Sequence, residues 1–485
     1  MSVDPAIQLI ERDCGAGFDG ARCGVVLVPL DYTAPNSPQI EVGFVLYPSL
    51  YPGVSRNEAV NIVGGGPGAP ISDLLRETPL WPLRLALPTQ TYIAIDPRGI
   101  GLSTRLECPT FAQVTPTDVP LETAIATCAA ELGDDRIHYS TANTVRDFEQ
   151  VRRALGIGQY NMVAFSYGTN PTSMYASLYP DAVRTLLLDG AYPIAREATL
   201  QSEYHTAMKR QFQQFCERSG ACNGDDALEA LAWVSAELRR SPRPIAVPAD
   251  ASEGLYPPNP VLDATTLANL ATQLPLPPVF LDGTNTAVLT DSPATGDVFA
   301  LPIIGGVLAA RDTGDWTILE QYVLNNYDKT DEGMVSSPKI DDQTRKNLAL
   351  NYAIDCPEGT MPWQETADQA ERERQFEQAK RSLHSDAFYP FSIEEWLNRK
   401  HTLNIYRQCI GWPGPPKDRA TEQRAVFTQW KPDLPVLVMN GDLDMNTPNE
   451  AAHAAAAQFP LAQFARFKHH GHAIIPASTC AADLM

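Results

Sequence analysis

Apolar residues follow two rhythms along this chain. Up to about Ala191, short apolar runs alternate with amphipathic stretches. Val25–Val28, Val42–Tyr47, Ala59–Val63, Thr91–Ile95, Asn161–Phe165 and Val183–Leu188 have the length and content of strands. The first two are joined through a Pro35-Asn36 turn. Between them, Val145, Phe148, Val151 and Leu155 recur at helical spacing within Thr141–Leu155, and Pro171–Leu178 reads as a second helix. Strands alternating with helices predict a mostly parallel sheet flanked by helices, an α/β fold. From about Ala191 to Pro432 the rhythm changes to helix-rich sequence broken by proline-heavy stretches, Pro242–Pro248 and Leu274–Pro278. Strand signals return at Pro435–Met439 and Phe464–Lys468. A chain of 485 residues is long for one domain and short for three. The pattern therefore predicts one sheet domain, residues 1–191 and 432–485, interrupted by a helical cap at 192–431. No apolar run approaches the ~18 residues of a membrane span.

Chemistry enters where strands end. Ala164-Phe165-Ser166-Tyr167-Gly168 follows an apolar strand and opens a helix that carries Pro171 in its first turn, where proline is tolerated. A nucleophile elbow needs this context: a sharp turn exposes the serine Oγ, and small residues on either side let strand and helix pack closely. Taken alone, the same pentapeptide also fits an ordinary serine at a helix start. A serine nucleophile needs a base. Of eight histidines, His472 in His469-His470-Gly471-His472 lies just after the last strand signal, whereas His453 sits on an Ala-rich helix face. The histidine cluster has no His-Glu-x-x-His or acidic partner pattern, so no metal is expected. The base needs an acid to fix its tautomer. Asn440-Gly441-Asp442-Leu443-Asp444 follows a strand, and both Asp442 and Asp444 suit that role. The order Ser, Asp, His is that of α/β-hydrolases.

Gly64-Gly65-Gly66-Pro67-Gly68 also follows a strand. It lacks the Lys-Ser/Thr of a phosphate loop, so it is not a nucleotide site. Such a loop can turn a backbone N–H toward a developing oxyanion, with the N–H of Tyr167 as second donor. Asp96-Pro97-Arg98-Gly99-Ile100-Gly101-Leu102-Ser103 follows another strand and reads as structural, with Arg98 bracing the loops.

The formal net charge of −21, without any Lys/Arg block, excludes nucleic acid and anionic membrane as expected partners. Nine cysteines contain no C-x-x-C pair. Cys14/Cys23 and Cys216/Cys222 are close in sequence within polar, Gly-containing loops, which suits small disulfide loops and an oxidising compartment. The odd count leaves one cysteine over, and Cys480 is the candidate. Met1-Ser2-Val3-Asp4 has neither a basic n-region nor an apolar h-region.

Together these motifs resemble the tripeptidyl aminopeptidase-like branch of α/β-hydrolases, related to prolyl iminopeptidases. The resemblance rests on Gly65-Gly66-Pro67-Gly68, Asp96-x-Arg98-Gly99-x-Gly101-x-Ser103, Ser166-Tyr167-Gly168-Thr169, Gly441-Asp442-x-Asp444-x-x-Thr447-Pro448 and Gly471-His472. Ala353-Ile354-x-Cys356 and Cys409-x-x-Trp412-Pro413 add to it. It implies Ser166 as nucleophile, His472 as base and Asp444, rather than Asp442, as acid. It implies an oxyanion hole near Gly66 and Tyr167. It also implies the pairs Cys14–Cys23, Cys108–Cys128, Cys216–Cys222 and Cys356–Cys409, and export, the leader being absent from this chain. Three departures stand out: Ala164 for the usual Gly, Asn170-Pro171 for bulkier apolar residues, and a chain that ends soon after Cys480.

The expected function is an exported serine exopeptidase that releases short units from peptide N-termini, without cofactor or metal. Its partner is a small peptide or ester substrate. An aminopeptidase must hold an ammonium group, and Glu358, beside the Ala353–Cys356 motif, is the candidate carboxylate; its alternative is a solvated surface residue. The competing readings are a carboxylesterase with the same triad and a non-catalytic binding protein on a hydrolase scaffold.

Overall fold

The computed structural model describes residues 7–51, 57–77, 84–85, 87–113, 121–191, 193, 200, 202–219, 222–246, 260–272, 302–326, 342–398, 405–414, 432–468 and 470–475. Among the described residues nine strands form one sheet in the order β1-β2-β3-β5-β4-β6-β7-β10-β11. These are β1 (Leu9–Arg12), β2 (Arg22–Pro29), β3 (Gln39–Tyr47), β4 (Glu58–Val63), β5 (Thr91–Ile95), β6 (Gln159–Phe165), β7 (Val183–Asp189), β10 (Val436–Gly441) and β11 (Ala462–Phe467). Neighbours from β5 through β11 run parallel. β1, β2 and β3 extend the sheet antiparallel on the other side of β5. The remaining strands, β8 (Arg243–Pro244) and β9 (Val261–Leu262), make a small antiparallel pair inside the otherwise helical region.

The strands with continuous apolar runs are those covered on both faces, as parallel sheets require. Successive side chains alternate between two apolar layers. Ile93, Ile95, Met162, Ala164, Leu186 and Leu188 join one, while Tyr92, Ala94, Val163 and Leu187 join the other. Helix Thr141–Ala154 packs on the first layer. Its N-cap Ser140 accepts from the Asn143 N–H at 3.3 Å, and Val145, Phe148 and Val151 are wholly buried. Each such apolar side chain contributes about 1.5–3 kcal/mol relative to exposure.

The helix-rich region contains helices Ser202–Ser219, Gly224–Arg240, Ala264–Ala271, Pro302–Thr313, Thr317–Asn326, Asp342–Glu358 and Gln369–Ser382, among others. Its Leu267, Ile303, Phe376 and Trp396 belong to the same continuous apolar cluster as the first sheet layer. It also docks on the loop after β10, where Gln211 Nε2 donates to the Leu443 carbonyl and Arg210 pairs with Glu450. No helix among the described residues is long and apolar enough to cross a membrane.

The strand order fixes where a site can form. From β4 the chain moves to β5 on one side, then returns to β6 on the other. A parallel sheet opens a crevice beyond the carboxyl ends of strands at such a switch point. The glycine loop follows β4 and Ser166 follows β6, so both lie on that rim.

Candidate active site

Ser166 is the first residue after β6, and its φ of 53° lies in the left-handed region. A non-glycine residue there costs on the order of 1–3 kcal/mol, and persists only where its surroundings hold it. Here they do. The Thr169 hydroxyl donates to the Ser166 carbonyl at 2.7 Å, and helix Thr169–Leu178 leads away. Gly168 lies so close to the end of β4 that a Cβ on it would sit 2.4 Å from the Gly64 carbonyl oxygen. A Cβ on Gly65 would sit 3.0 Å from Ser166 Cβ. The glycine loop is thus pressed against the serine, with Gly66 next in line at φ 117° and Tyr167 following the serine. Ala164, the departure from glycine, is wholly buried between Val63 of β4 and Leu188 of β7, so the sheet takes up its methyl group.

Asp444 and His472 come together at the ends of β10 and β11. His472 Nδ1 lies 2.8 Å from Asp444 Oδ2. The carboxylate is wholly buried and well satisfied: Oδ1 accepts from the Asn446 and Thr447 N–H groups, both at 2.8 Å, and Oδ2 accepts from the Thr447 hydroxyl at 2.6 Å. These bonds orient it toward the ring. Asp442 is also buried, but its N–H is tied to the Phe467 carbonyl of β11, and it is Asp444 that meets His472. Burial pulls the His472 pKa down, but the charge and hydrogen bond of Asp444 and the charge of Asp189 outweigh it, and the imidazole lies above its ordinary value.

The imidazole stands on the same rim as the serine. Phe165 pairs with Asp189 across β6 and β7, so Ser166 and Gly190 are the next residues on neighbouring strands, which lie about 4.8 Å apart. A Cβ on Gly190 would be 3.0 Å from His472 Cε1, so the ring rests directly on that glycine. Nucleophile, acid and base candidates therefore follow β6, β10 and β11 on one rim, with the end of β7 between the first two.

Glu358 is not a solvated surface carboxylate. It ends helix Asp342–Glu358 and accepts from the Thr141 N–H at 2.7 Å and from the Thr141 hydroxyl. The Thr141 Oγ1 is in turn 2.6 Å from the Tyr167 hydroxyl. One hydrogen-bonded chain thus links Glu358 to the residue after Ser166. Burial pushes its carboxyl up to about 7, against the two bonds from Thr141.

The Asp96–Ser103 segment braces this rim. Asp96 accepts from the Ser72 and Leu102 N–H groups, tying the helix after the glycine loop to the segment. Arg98 is wholly buried and pairs bidentately with Asp147 at 2.6 and 2.7 Å, while also donating to Leu30 and His138 carbonyls. The cysteine pairs 14/23, 108/128, 216/222 and 356/409 lie at disulfide distance, with Cα separations of 5.1, 5.5, 4.7 and 5.2 Å. Cys480 and His469 lie outside the described residues. Among the described residues no group of three or more His, Cys, Asp or Glu could hold a metal ion.

Three contributors escaped the sequence reading. Thr141 and Asp189 carry no motif: Thr141 meets Glu358 217 positions away, and Asp189 gains its neighbours through the strand order. Thr447 was visible only as half of a Thr-Pro pair, although its hydroxyl spans Asp444 and His472 at 2.6 and 3.3 Å.

A family model described as alpha/beta hydrolase fold matches residues 59–278, and one described as TAP-like protein matches residues 396–485. The chain is 31% identical over 186 residues to the putative hydrolase YuaR of Escherichia coli K12, covering 36% of each chain. It is 27% identical over 209 residues to a tripeptidyl aminopeptidase of Streptomyces lividans, covering 38% of each. It is 30% identical over 240 residues to carboxylesterase B of Mycobacterium tuberculosis, covering 44% of this chain and 45% of that protein. These matches span less than half the length of each relative.

Proposed function

The chain belongs to the TAP-like α/β-hydrolase family, and on that premise we propose that it is an exported serine exopeptidase releasing short units from peptide N-termini. The observation that carries the reading is the buried Asp444–His472 pair on the same rim as the strained Ser166, with β7 between them and the His472 ring resting on Gly190 at its end. The same reading takes residues 1–191 and 432–485 as the catalytic core and 192–431 as its cap. The cysteine pairs at disulfide distance support an oxidising compartment.

His472 Nε2 takes the Ser166 proton while Nδ1–H stays bonded to Asp444, so charge develops on the imidazole beside a buried carboxylate. Ser166 Oγ attacks the scissile carbonyl. The N–H groups of Gly66 and Tyr167 hold the oxyanion, each such donor being worth roughly 3–4 kcal/mol in the transition state. His472 then gives its proton to the leaving amine. Water, deprotonated by the same ring, releases the acyl group and restores Ser166. Glu358 holds the substrate ammonium. Its place in the hydrogen-bonded chain that reaches Tyr167 supports the peptide reading.

The rival reading is a carboxylesterase, favoured by the identity to carboxylesterase B. The test pairs fluorophosphonate labelling with two substrates. Wild type is expected to label at Ser166, Ser166→Ala not to label, and wild type to turn over a tripeptidyl anilide faster than a short-chain nitrophenyl ester. Failure to release product from any free-amine peptide sinks the peptidase reading and leaves the esterase. Absence of labelling at Ser166 sinks both and favours a binding protein.

A further inference from the structure

We propose that Asp189 is the positioning residue of the base: its buried carboxylate anchors the segment that carries His472 and adds a second negative charge beneath the ring. The inference rests on the reading of His472 as base for Ser166. Asp189 is the last residue of β7 and is wholly buried. Its Oδ2 accepts from the Ile474 N–H at 2.6 Å and from the Ile475 N–H at 2.8 Å. Between His472 and these donors lies Ala473, a non-glycine residue at φ 63°. The segment turns sharply just after the base, and Asp189 holds both N–H groups beyond the turn. Gly190, the next residue of the same strand end, is the floor against which the imidazole packs. One dipeptide therefore sets both the height of the ring and the course of the chain behind it.

The second part of the role is electrostatic. Asp189 Oδ1 is buried and has no hydrogen-bond partner among the described residues. Leaving a carboxylate oxygen bare in an apolar surrounding is unfavourable unless a cation forms nearby. The charged and titratable groups around Asp189 are His472, on the segment it anchors, and Asp444, on the loop after β10. His472 is the one that becomes cationic. Asp444 supplies the direct hydrogen bond, while Asp189 supplies a charge with no bond to the ring. Burial pushes the Asp189 carboxyl up to about 7, opposed by its two backbone bonds and by His472.

Two substitutions separate the anchoring from the charge. Asp189→Asn keeps an oxygen that can accept from Ile474 and Ile475 but removes the charge. Asp189→Ala removes both. For Asp189→Ala, kcat is expected to fall about 100-fold with KM unchanged, the scale of a base displaced by about an ångström. For Asp189→Asn, most of kcat should return, and the lower limb of the kcat/KM–pH profile should move to lower pH, because a negative neighbour of the imidazolium is gone. Equal loss of kcat in both variants with an unmoved limb would overturn the proposal, as would a wild-type kcat in Asp189→Ala. If Asp189→Ala fails to fold by circular dichroism, the shift of the limb in Asp189→Asn decides alone. Labelling of wild type at Ser166 is measured alongside: without it the underlying reading falls and the proposal with it, whereas labelled wild type with unaltered Asp189 variants overturns this proposal only.

Discussion

Replacing Glu358 by Gln separates recognition from chemistry. The amide is nearly isosteric with the carboxylate. Its oxygen can still accept from the Thr141 N–H, bonded at 2.7 Å in the native protein, and its NH2 can donate to the Thr141 hydroxyl. The link to Tyr167 is therefore retained while the charge is lost. A hydrogen bond to a charged partner contributes about 1.5–3 kcal/mol, so kcat/KM for a free-amine tripeptidyl anilide should fall roughly 10- to 150-fold. The N-acetylated peptide and the nitrophenyl ester have no ammonium to lose and should react as before. The pH dependence gives an independent readout. Glu358 must be ionised to hold an ammonium, and its carboxyl lies at about 7. Turnover of amine substrates by wild type should thus rise with pH through two ionisations, those of Glu358 and His472, and turnover of esters through the second alone. In the variant the two profiles should coincide.

Stability should move the other way. The folded pKa of Glu358 lies above its ordinary value of 4.5, so the fold favours the neutral acid. That contribution is complete below about 4.5 and is lost as pH rises through about 7. Discounted for partial exposure, the loss is about 1–3 kcal/mol. A glutamine does not ionise, so the variant should gain in Tm over wild type between pH 5 and about 8. Equal loss of activity on amine and ester substrates would refute the argument, because it would make Glu358 a support of the elbow instead of a binding group. So would unchanged activity on both.

Further outcomes follow from other contacts. Asp444→Asn should lower kcat by about 10³–10⁴ with little change in KM, since the amide no longer holds the required tautomer, and should slow fluorophosphonate labelling of Ser166 in parallel. Asp147→Ala leaves the Arg98 guanidinium buried without its counter-charge, at a cost of about 3–5 kcal/mol that urea unfolding would read as a lower midpoint at an unchanged slope. Cys356 and Cys409 close a loop with a sequence separation of 53; the paired Ser variant should lose about 4 kcal/mol in the chain-entropy estimate, read as a lower Tm under non-reducing conditions.

The strands from Val25 to Leu188 were legible because a sheet covered on both faces writes itself as uninterrupted apolar runs, and each lies within a residue or so of a predicted span except where the chain extends it. β1 was not: Leu9–Arg12 is a half-exposed edge strand with no apolar face to reveal it. The Pro435 run predicted β10, but the strand starts at Val436 and continues through Asn440 and Gly441, because backbone pairing with Phe467 outweighs the poor strand propensity of those residues. Ser166 and His472 announced themselves by their positions after strands. The choice between Asp442 and Asp444 did not come from the residues, since both sit in one turn and two residues of sequence separate them; the bond to His472 distinguishes them. Glu358 was found beside a motif, but its partner Thr141 lies 217 positions away, and no local pattern encodes such a contact. Asp189 was hidden for a related reason. An Asp-Gly after a strand reads as a turn, and only the sheet order brings β7 beside both the nucleophile strand and the acid strand.

The interlock of Gly168, Gly64 and Gly65 with Ser166 has a consequence for divergence. A methyl group at 168 would strike main-chain oxygen at 2.4 Å, and one at 65 would crowd the serine at 3.0 Å. No rotamer change elsewhere relieves the clash with backbone at 168, so selection can accept almost nothing there, while at 65 the serine itself would have to give way. Helix Asp342–Glu358 reaches the same elbow through the Glu358 side chain and Thr141, and a side chain can be exchanged. On the proposed role of Glu358, descendants of this protein can change what they cleave through that helix while the elbow stays frozen. A mutant library aimed at new substrates would be best spent there.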